Sequence, residues 1–262
     1  MDHVDVDGLR IAYRRRGTGP ALVLLHGGVC DSRVWRVELE SFADAFTVVA
    51  WDAPGCGGSS DAPETFRMAD YAQCLRSLLE LLRLDRVHLL GHSWGAALAL
   101  ELCRRWPTVV RSLVLVGGYA GWAGSLPPHE VQERLTVALR AAEPGAAFEP
   151  TTMPGLFSAA MPPDRASELA AIMSDARPGA TRTMAQAMAE ADLRDALPAI
   201  DVPTLVVHGE ADLRSPISVA QQLQRSIPRA ELVVLPGLGH ECSLESATAF
   251  EAAVRAFLRT QR

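Results

Sequence analysis

Six short apolar runs punctuate the chain: ALVLLHG (21–27), FTVVAWD (46–52), RVHLLGHS (86–93), VRSLVLVGG (110–118), PTLVVHG (203–209) and AELVVLPG (230–237). Each is continuous rather than alternating and ends in glycine or a polar residue, which predicts strands buried on both faces. Between them SRVWRVELESFADA, MADYAQCLRSLLELLRL, ALALELCRRW, PISVAQQLQRSIP and SATAFEAAVRAFLRT carry a helical period. Pro107 closes the third of these, and Pro216 suits the first turn of the fourth. Strands alternating with helices in this way predict a mostly parallel sheet covered by helices on both faces. The opening differs, because HVDVDG and LRIAYRRRG flank Asp7-Gly8, a hairpin signal that pairs the first two strands antiparallel.

One interval breaks the rhythm. From Tyr119 to Leu197 no strand-like run occurs, only helical patches interrupted by Pro127, Pro128, Pro144, Pro150, Pro154, Pro162, Pro163 and Pro178. So long a strand-free stretch inside a compact domain is either a linker or a functional lid. Five of the seven methionines (Met153, Met161, Met173, Met184 and Met188) fall there with Trp122, Phe148 and Phe157, too much apolar bulk for a solvated linker. The division expected is therefore one core, residues 1–118 and 198–262, with a helical lid insertion at 119–197.

Composition narrows the function classes. Hydrophobic residues make up 48% and charged residues 21% of the 262, enough to bury a sizeable interior. A formal net charge of −6, with no basic run beyond Arg14, Arg15 and Arg16, disfavours nucleic acid as a partner. The acidic start MDHVDVDG lacks the features of a signal peptide, and no apolar run approaches membrane-spanning length, so a cytoplasmic protein with no membrane partner is expected. Five cysteines, Cys30, Cys56, Cys74, Cys103 and Cys242, lie far apart without CxxC spacing, which fits reduced thiols rather than a disulfide framework or zinc site. His88 and His92 sit four apart across a strand end and turn rather than on one helix, so no metal is expected. GCGGSS is no dinucleotide fingerprint, because Ser60 stands where the third glycine belongs, and no P-loop occurs. No cofactor is expected.

Chemistry concentrates at Gly91-His92-Ser93-Trp94-Gly95, a G-x-S-x-G pattern with a strand before it and a helix after. A tight strand-to-helix turn leaves little room two residues either side of its centre, and the glycines supply that room. Ala96, Ala97 and Ala99 keep the helix narrow where it meets the strand. The competing reading is that Ser93 merely caps the helix.

With these residues the chain resembles the α/β-hydrolase family over nearly its whole length. HGG at 26–28 looks like that family's oxyanion loop and DAPGCGGS at 52–59 like its D-x-P-G-x-G-x-S turn; HGEADLRSP at 208–216 and LPGLGHE at 235–241 look like its acid and histidine loops. The resemblance implies an α/β fold with an eight-stranded, mostly parallel sheet and a helical lid, and the triad order Ser93, Asp212, His240. A serine hydroxyl needs a base within reach, the role of His240, which Asp212 orients. Negative charge on the substrate oxygen needs two backbone N–H donors, Trp94 and, by the resemblance, Gly28. Glu210 is the alternative acid. His26 is expected to hold the oxyanion loop, His208 to be a satisfied core histidine, Glu241 to be solvated, and Cys30, Cys56 and Cys242 to be small apolar fillers beside the pocket.

The expected substrate is a small molecule with an apolar acyl or alcohol group, held by Trp122, Met153, Phe157, Met161 and Met184. Hydrolysis of a carboxylic ester or lactone uses the triad with no further requirement. Carbon-carbon bond hydrolysis, enol-lactone hydrolysis, perhydrolysis and a slow-turnover ligand sensor are the alternatives. The serine excludes the dehalogenases and epoxide hydrolases of this fold, which use aspartate at the elbow. A monomer or homodimer is expected.

Overall fold

In the computed structural model, which describes residues 1–143 and 155–261, the six apolar runs and the two arms of the opening hairpin are all strands. They are β1 (Asp2–Val6), β2 (Leu9–Arg16), β3 (Ala21–Leu25), β4 (Thr47–Trp51), β5 (Val87–His92), β6 (Val110–Val116), β7 (Thr204–Gly209) and β8 (Ala230–Leu235). They form one sheet in the order 1-2-4-3-5-6-7-8. β1 pairs antiparallel with β2, and β2 with β4; every later pairing is parallel. Asp7 and Gly8 both take positive φ, as the two-residue hairpin requires.

Successive strand residues point to opposite faces, and the two halves of the core sort accordingly. Val23, Leu25, Val49, Trp51, Leu89, Leu113 and Leu115 face α2 (Met68–Leu81), α3 (Trp94–Arg105) and α7 (Ile217–Ser226). Leu22, Leu24, Val48, Leu90, Val114 and Val116 face α1 (Arg36–Ser41) and α9 (Ala247–Arg259), where Phe250 and Val254 are fully buried. Burial on both faces thus holds for the central strands. It fails at β8, an edge strand whose Val234 is 40% exposed, because only one neighbour covers it.

The segment expected to be one helix at 32–45 is instead a 3₁₀ turn (32–35), the short α1 and a second 3₁₀ turn (42–44). Pro216 stands at the N-cap of α7, one place before its first turn. Between β6 and β7 the described residues form three helices, α4 (Pro128–Ala141), α5 (Pro163–Ser174) and α6 (Pro178–Glu190). Here the proline expectation is corrected, since Pro128, Pro163 and Pro178 each begin a helix rather than interrupt one. The N1 position suits proline, whose missing N–H would have no helical acceptor there. Pro144, Phe148, Pro150, Met153 and Pro154 lie outside the described residues. A four-residue α8 (Cys242–Glu245) follows the histidine loop. No described helix is long and apolar enough to cross a membrane.

Candidate active site

Ser93 lies between β5 and α3 with φ 51° and ψ −109°, outside the regions that a residue with a side chain ordinarily occupies. Such a conformation costs on the order of 1–3 kcal/mol and persists only when its surroundings enforce it. The flanking glycines show how they do. A Cβ on Gly91 would sit 2.3 Å from the carbonyl oxygen of Gly95, and one on Gly95 would sit 2.3 Å from that of Leu25. The turn closes only with hydrogen at both places. The hydroxyl makes no capping bond to α3, so capping does not account for this serine.

His240 and Asp212 meet across the C-terminal edge of the sheet. Nδ1–H of His240 donates to Asp212 Oδ2 at 2.8 Å, while Asp212 Oδ1 accepts from the N–H groups of Arg214 and Ser215, each at 2.8 Å. Burial by itself would raise the Asp212 pKa; the His240 charge and the hydrogen bonds outweigh it and hold the carboxyl below its ordinary range. Asp212 stays ionised and His240 is locked in one tautomer. Glu210 is exposed and accepts from Gly237 N–H at 2.9 Å, which leaves Asp212 as the acid that reaches the histidine.

The end of β6 touches both the Ser93 turn and the His240–Asp212 pair. Ser93 N–H donates to the Val116 carbonyl, and the next residue, Gly117 at φ 52°, presses against the dyad: a Cβ there would sit 3.1 Å from the His240 ring and 3.4 Å from Asp212 Oδ2. The ring of His92, adjacent to Ser93, stands 4.8 Å from that of His240. Gly28 adjoins the elbow too, its missing Cβ falling 3.9 Å from Trp94 Cβ. Trp94 opens α3, where the first N–H groups have no acceptor inside the helix. Beside Gly28, Val29 has φ 55°, a strained value for a β-branched residue.

His26 fixes this loop as expected. Its Nε2 accepts from Ala53 N–H at 3.0 Å, so Nδ1 carries the proton and donates to the Gly27 carbonyl at 2.8 Å. Two other expectations are corrected. His208 is buried but not satisfied, with neither ring nitrogen hydrogen-bonded, and burial pushes its pKa down. Glu241 is buried rather than solvated, because the loop folds straight into α8 and turns the carboxylate toward His92 Nδ1, 3.8 Å away. Cys30, Cys56 and Cys242 are buried thiols whose pKa values burial drives up, as befits apolar fillers. His88 bonds Ser112 and stands apart from His92. Among the described residues, His92, His240 and Glu241 are the one group whose donor atoms lie close enough to hold a metal ion.

The four described residues expected at the substrate divide between two apolar clusters. Trp122 and Met184 belong with Trp94 and Tyr71, and Met184 also touches the Cys56 sulfur at 3.5 Å. Phe157 and Met161 pack instead with Cys30, Leu156 and Leu244. Met153 lies outside the described residues.

Polar residues that sequence reasoning passed over fasten the insertion to each loop of the site. Arg134 of α4 and Tyr119 both donate to the Arg214 carbonyl in the acid loop. Glu245 accepts from Gly239 N–H at 2.6 Å, next to the base, and from the hydroxyl and N–H of Ser158. Arg177 donates to the Gly55 and Ser59 carbonyls of the 52–59 turn, whose Asp52 accepts from Ser32 and Gly58 N–H groups. Only the acidic residue soon after GH offered a sequence signal; the arginines offered none.

The chain is similar to known proteins in sequence and in fold. The sequence profile of the alpha/beta hydrolase fold matches residues 20–247. A protein from Klebsiella pneumoniae, named as a candidate carbamate hydrolase, is 30% identical over 245 residues, which are 90% of each chain. An uncharacterised protein of Mycobacterium tuberculosis is 38% identical over 111 residues, 42% of this chain but only 33% of the mycobacterial one. In three dimensions a thermophilic esterase from Thermogutta terrifontis superposes with a TM-score of 0.91 at 28% identity, covering 100% of this chain and 99% of that one. With the strained serine elbow, the sheet order and the matched profile taken together, this chain belongs to the α/β-hydrolase fold family.

Proposed function

We propose that the protein is a serine hydrolase that cleaves the carboxylic ester or lactone of a small, largely apolar substrate through an acyl-enzyme on Ser93. The observation that carries this is the His240–Asp212 dyad, 2.8 Å long and buried, at the strand end to which the Ser93 amide is tied. Ser93 Oγ attacks the carbonyl carbon as His240 Nε2 takes its proton. The oxygen gains negative charge and draws on the Gly28 and Trp94 N–H groups. Collapse breaks the ester bond, and His240 returns the proton to the departing alkoxide. Water then repeats the sequence on the acyl-enzyme, with Ser93 as leaving group. Asp212 remains ionised throughout and stabilises the imidazolium.

The insertion serves as the lid, with Trp122 and Met184 on one side of the substrate and Phe157 and Met161 on the other. Likeness to the esterase supports the ester reading. A carbamate is the second reading, favoured by likeness to the Klebsiella protein over 90% of both chains; Ser93 attacks the carbamate carbonyl in the same way, and His240 gives its proton to the departing oxygen or nitrogen.

Turnover of p-nitrophenyl butyrate tests the proposal. Ser93→Ala should lose on the order of 10³-fold or more in kcat, with an unchanged melting curve. A fluorophosphonate probe should label the parent and not the variant. Activity retained by Ser93→Ala would sink the proposal.

A further inference from the structure

Beside the nucleophile, the histidine loop holds a set of donor atoms that acyl transfer does not use as a set. His92 Nε2 lies 3.0 Å from the carbonyl oxygen of His240. A carbonyl only accepts, so Nε2 carries the proton and Nδ1 is left as a lone pair. That Nδ1 is 3.8 Å from Glu241 Oε2. In His240 the proton on Nδ1 is given to Asp212, and Nε2 keeps the lone pair. One donor atom from each of His92, His240 and Glu241 lies within 4.8 Å of the others, and all three residues are buried.

Metal-binding histidines are almost always oriented by giving their second N–H to a carboxylate or a backbone carbonyl. Both such partners are already present here, Asp212 for His240 and the His240 carbonyl for His92. Two neutral imidazoles and one carboxylate form a donor set suited to Zn²⁺. We propose that His92, His240 and Glu241 form a binding site for a divalent first-row transition ion, Zn²⁺ foremost, and that occupancy shuts off hydrolysis by engaging the lone pair that Ser93 needs. Zinc–nitrogen bonds of about 2.0–2.1 Å require the three donors to draw closer when the ion binds. Hard Mg²⁺ prefers an all-oxygen octahedron and does not suit this set.

Only the inhibitory half rests on the proposed hydrolysis, so binding is measured first on Ser93→Ala, which keeps every ligand and has no nucleophile. Calorimetric titration with Zn²⁺ should show one site per chain. Introducing Glu241→Gln or His92→Gln into that protein should weaken binding at least about 10-fold, and Asp212→Asn, which removes an orienting partner, ~10–100-fold. Metal-free melting curves check that each variant folds, and the His92 variant carries the test if the Glu241 variant does not. In the parent, Zn²⁺ should abolish p-nitrophenyl butyrate turnover over the same concentration range, EDTA should restore it, and millimolar Mg²⁺ should leave it unchanged. No Zn²⁺ uptake by Ser93→Ala at millimolar metal, or equal uptake by both ligand variants, would overturn the site. Stoichiometric uptake without loss of turnover would overturn the inhibition. A parent with no esterase activity whose Ser93→Ala form still binds Zn²⁺ through these ligands would leave the site standing and the proposed hydrolysis refuted.

Discussion

The Ser93 turn and the insertion between β6 and β7 are held by opposite means. At the turn, backbone packs on backbone so tightly that Gly91 and Gly95 have no room for a methyl group. In the insertion, Met173, Met184 and Met188 fill the gaps with flexible thioethers, and the polar ties run to loop carbonyls and carboxylates. Strain can be stored where nothing can relax, whereas substrate range can change where side chains are able to repack. In the proposed reaction the chemistry is fixed on the first region and its selectivity left to the second.

Gly95→Ala should break the comparison most severely. Its methyl group would overlap the Leu25 and His26 carbonyls, so a loss of more than about 4 kcal/mol in urea unfolding is expected, together with activity. A folded, active Gly95→Ala protein would show that the elbow yields after all. Glu245→Gln acts on the tie between the regions. Oε2 accepts from both the Gly239 N–H and the Ser158 hydroxyl, so the amide replaces two charge-assisted bonds by weaker neutral ones and turns its NH2 against the Ser158 N–H; kcat should fall about 10-fold with little loss of secondary structure by circular dichroism.

Glu38 sharpens the contrast through pH. It is buried on α1 with both oxygens unpartnered, close enough to Arg165 of the insertion and Glu251 of α9 to feel their charges, and burial raises its pKa to about 8. The fold therefore favours the protonated acid over the carboxylate. Its destabilising effect is absent below the unfolded value of 4.5 and grows as pH rises from there to about 8. Glu38→Gln should match the parent near the acid end and exceed it by a few kcal/mol at the alkaline end, read from thermal midpoints across pH. A constant difference would contradict the burial argument. Met184→Leu should do least, costing under about 1.5 kcal/mol while altering the preferred acyl length, measured as kcat/KM along a p-nitrophenyl ester series.

Sequence alone determined the strand positions, the hairpin and the serine elbow, because continuous apolar runs and glycine spacing are local signals that the backbone must obey. That the loops carrying Asp212 and His240 meet was also legible, through their resemblance to a family rather than through any local rule. Tertiary structure decided the rest. Only chain reversal after His240 buried Glu241 against His92, and only long-range packing tied Arg134 and Arg177 to loops 80 and 122 residues away and Ser158 to Glu245. Such partners leave no periodic trace. A charged side chain reads the same on a solvated helix as at a buried loop, and the distinction is made by whatever the fold brings opposite it.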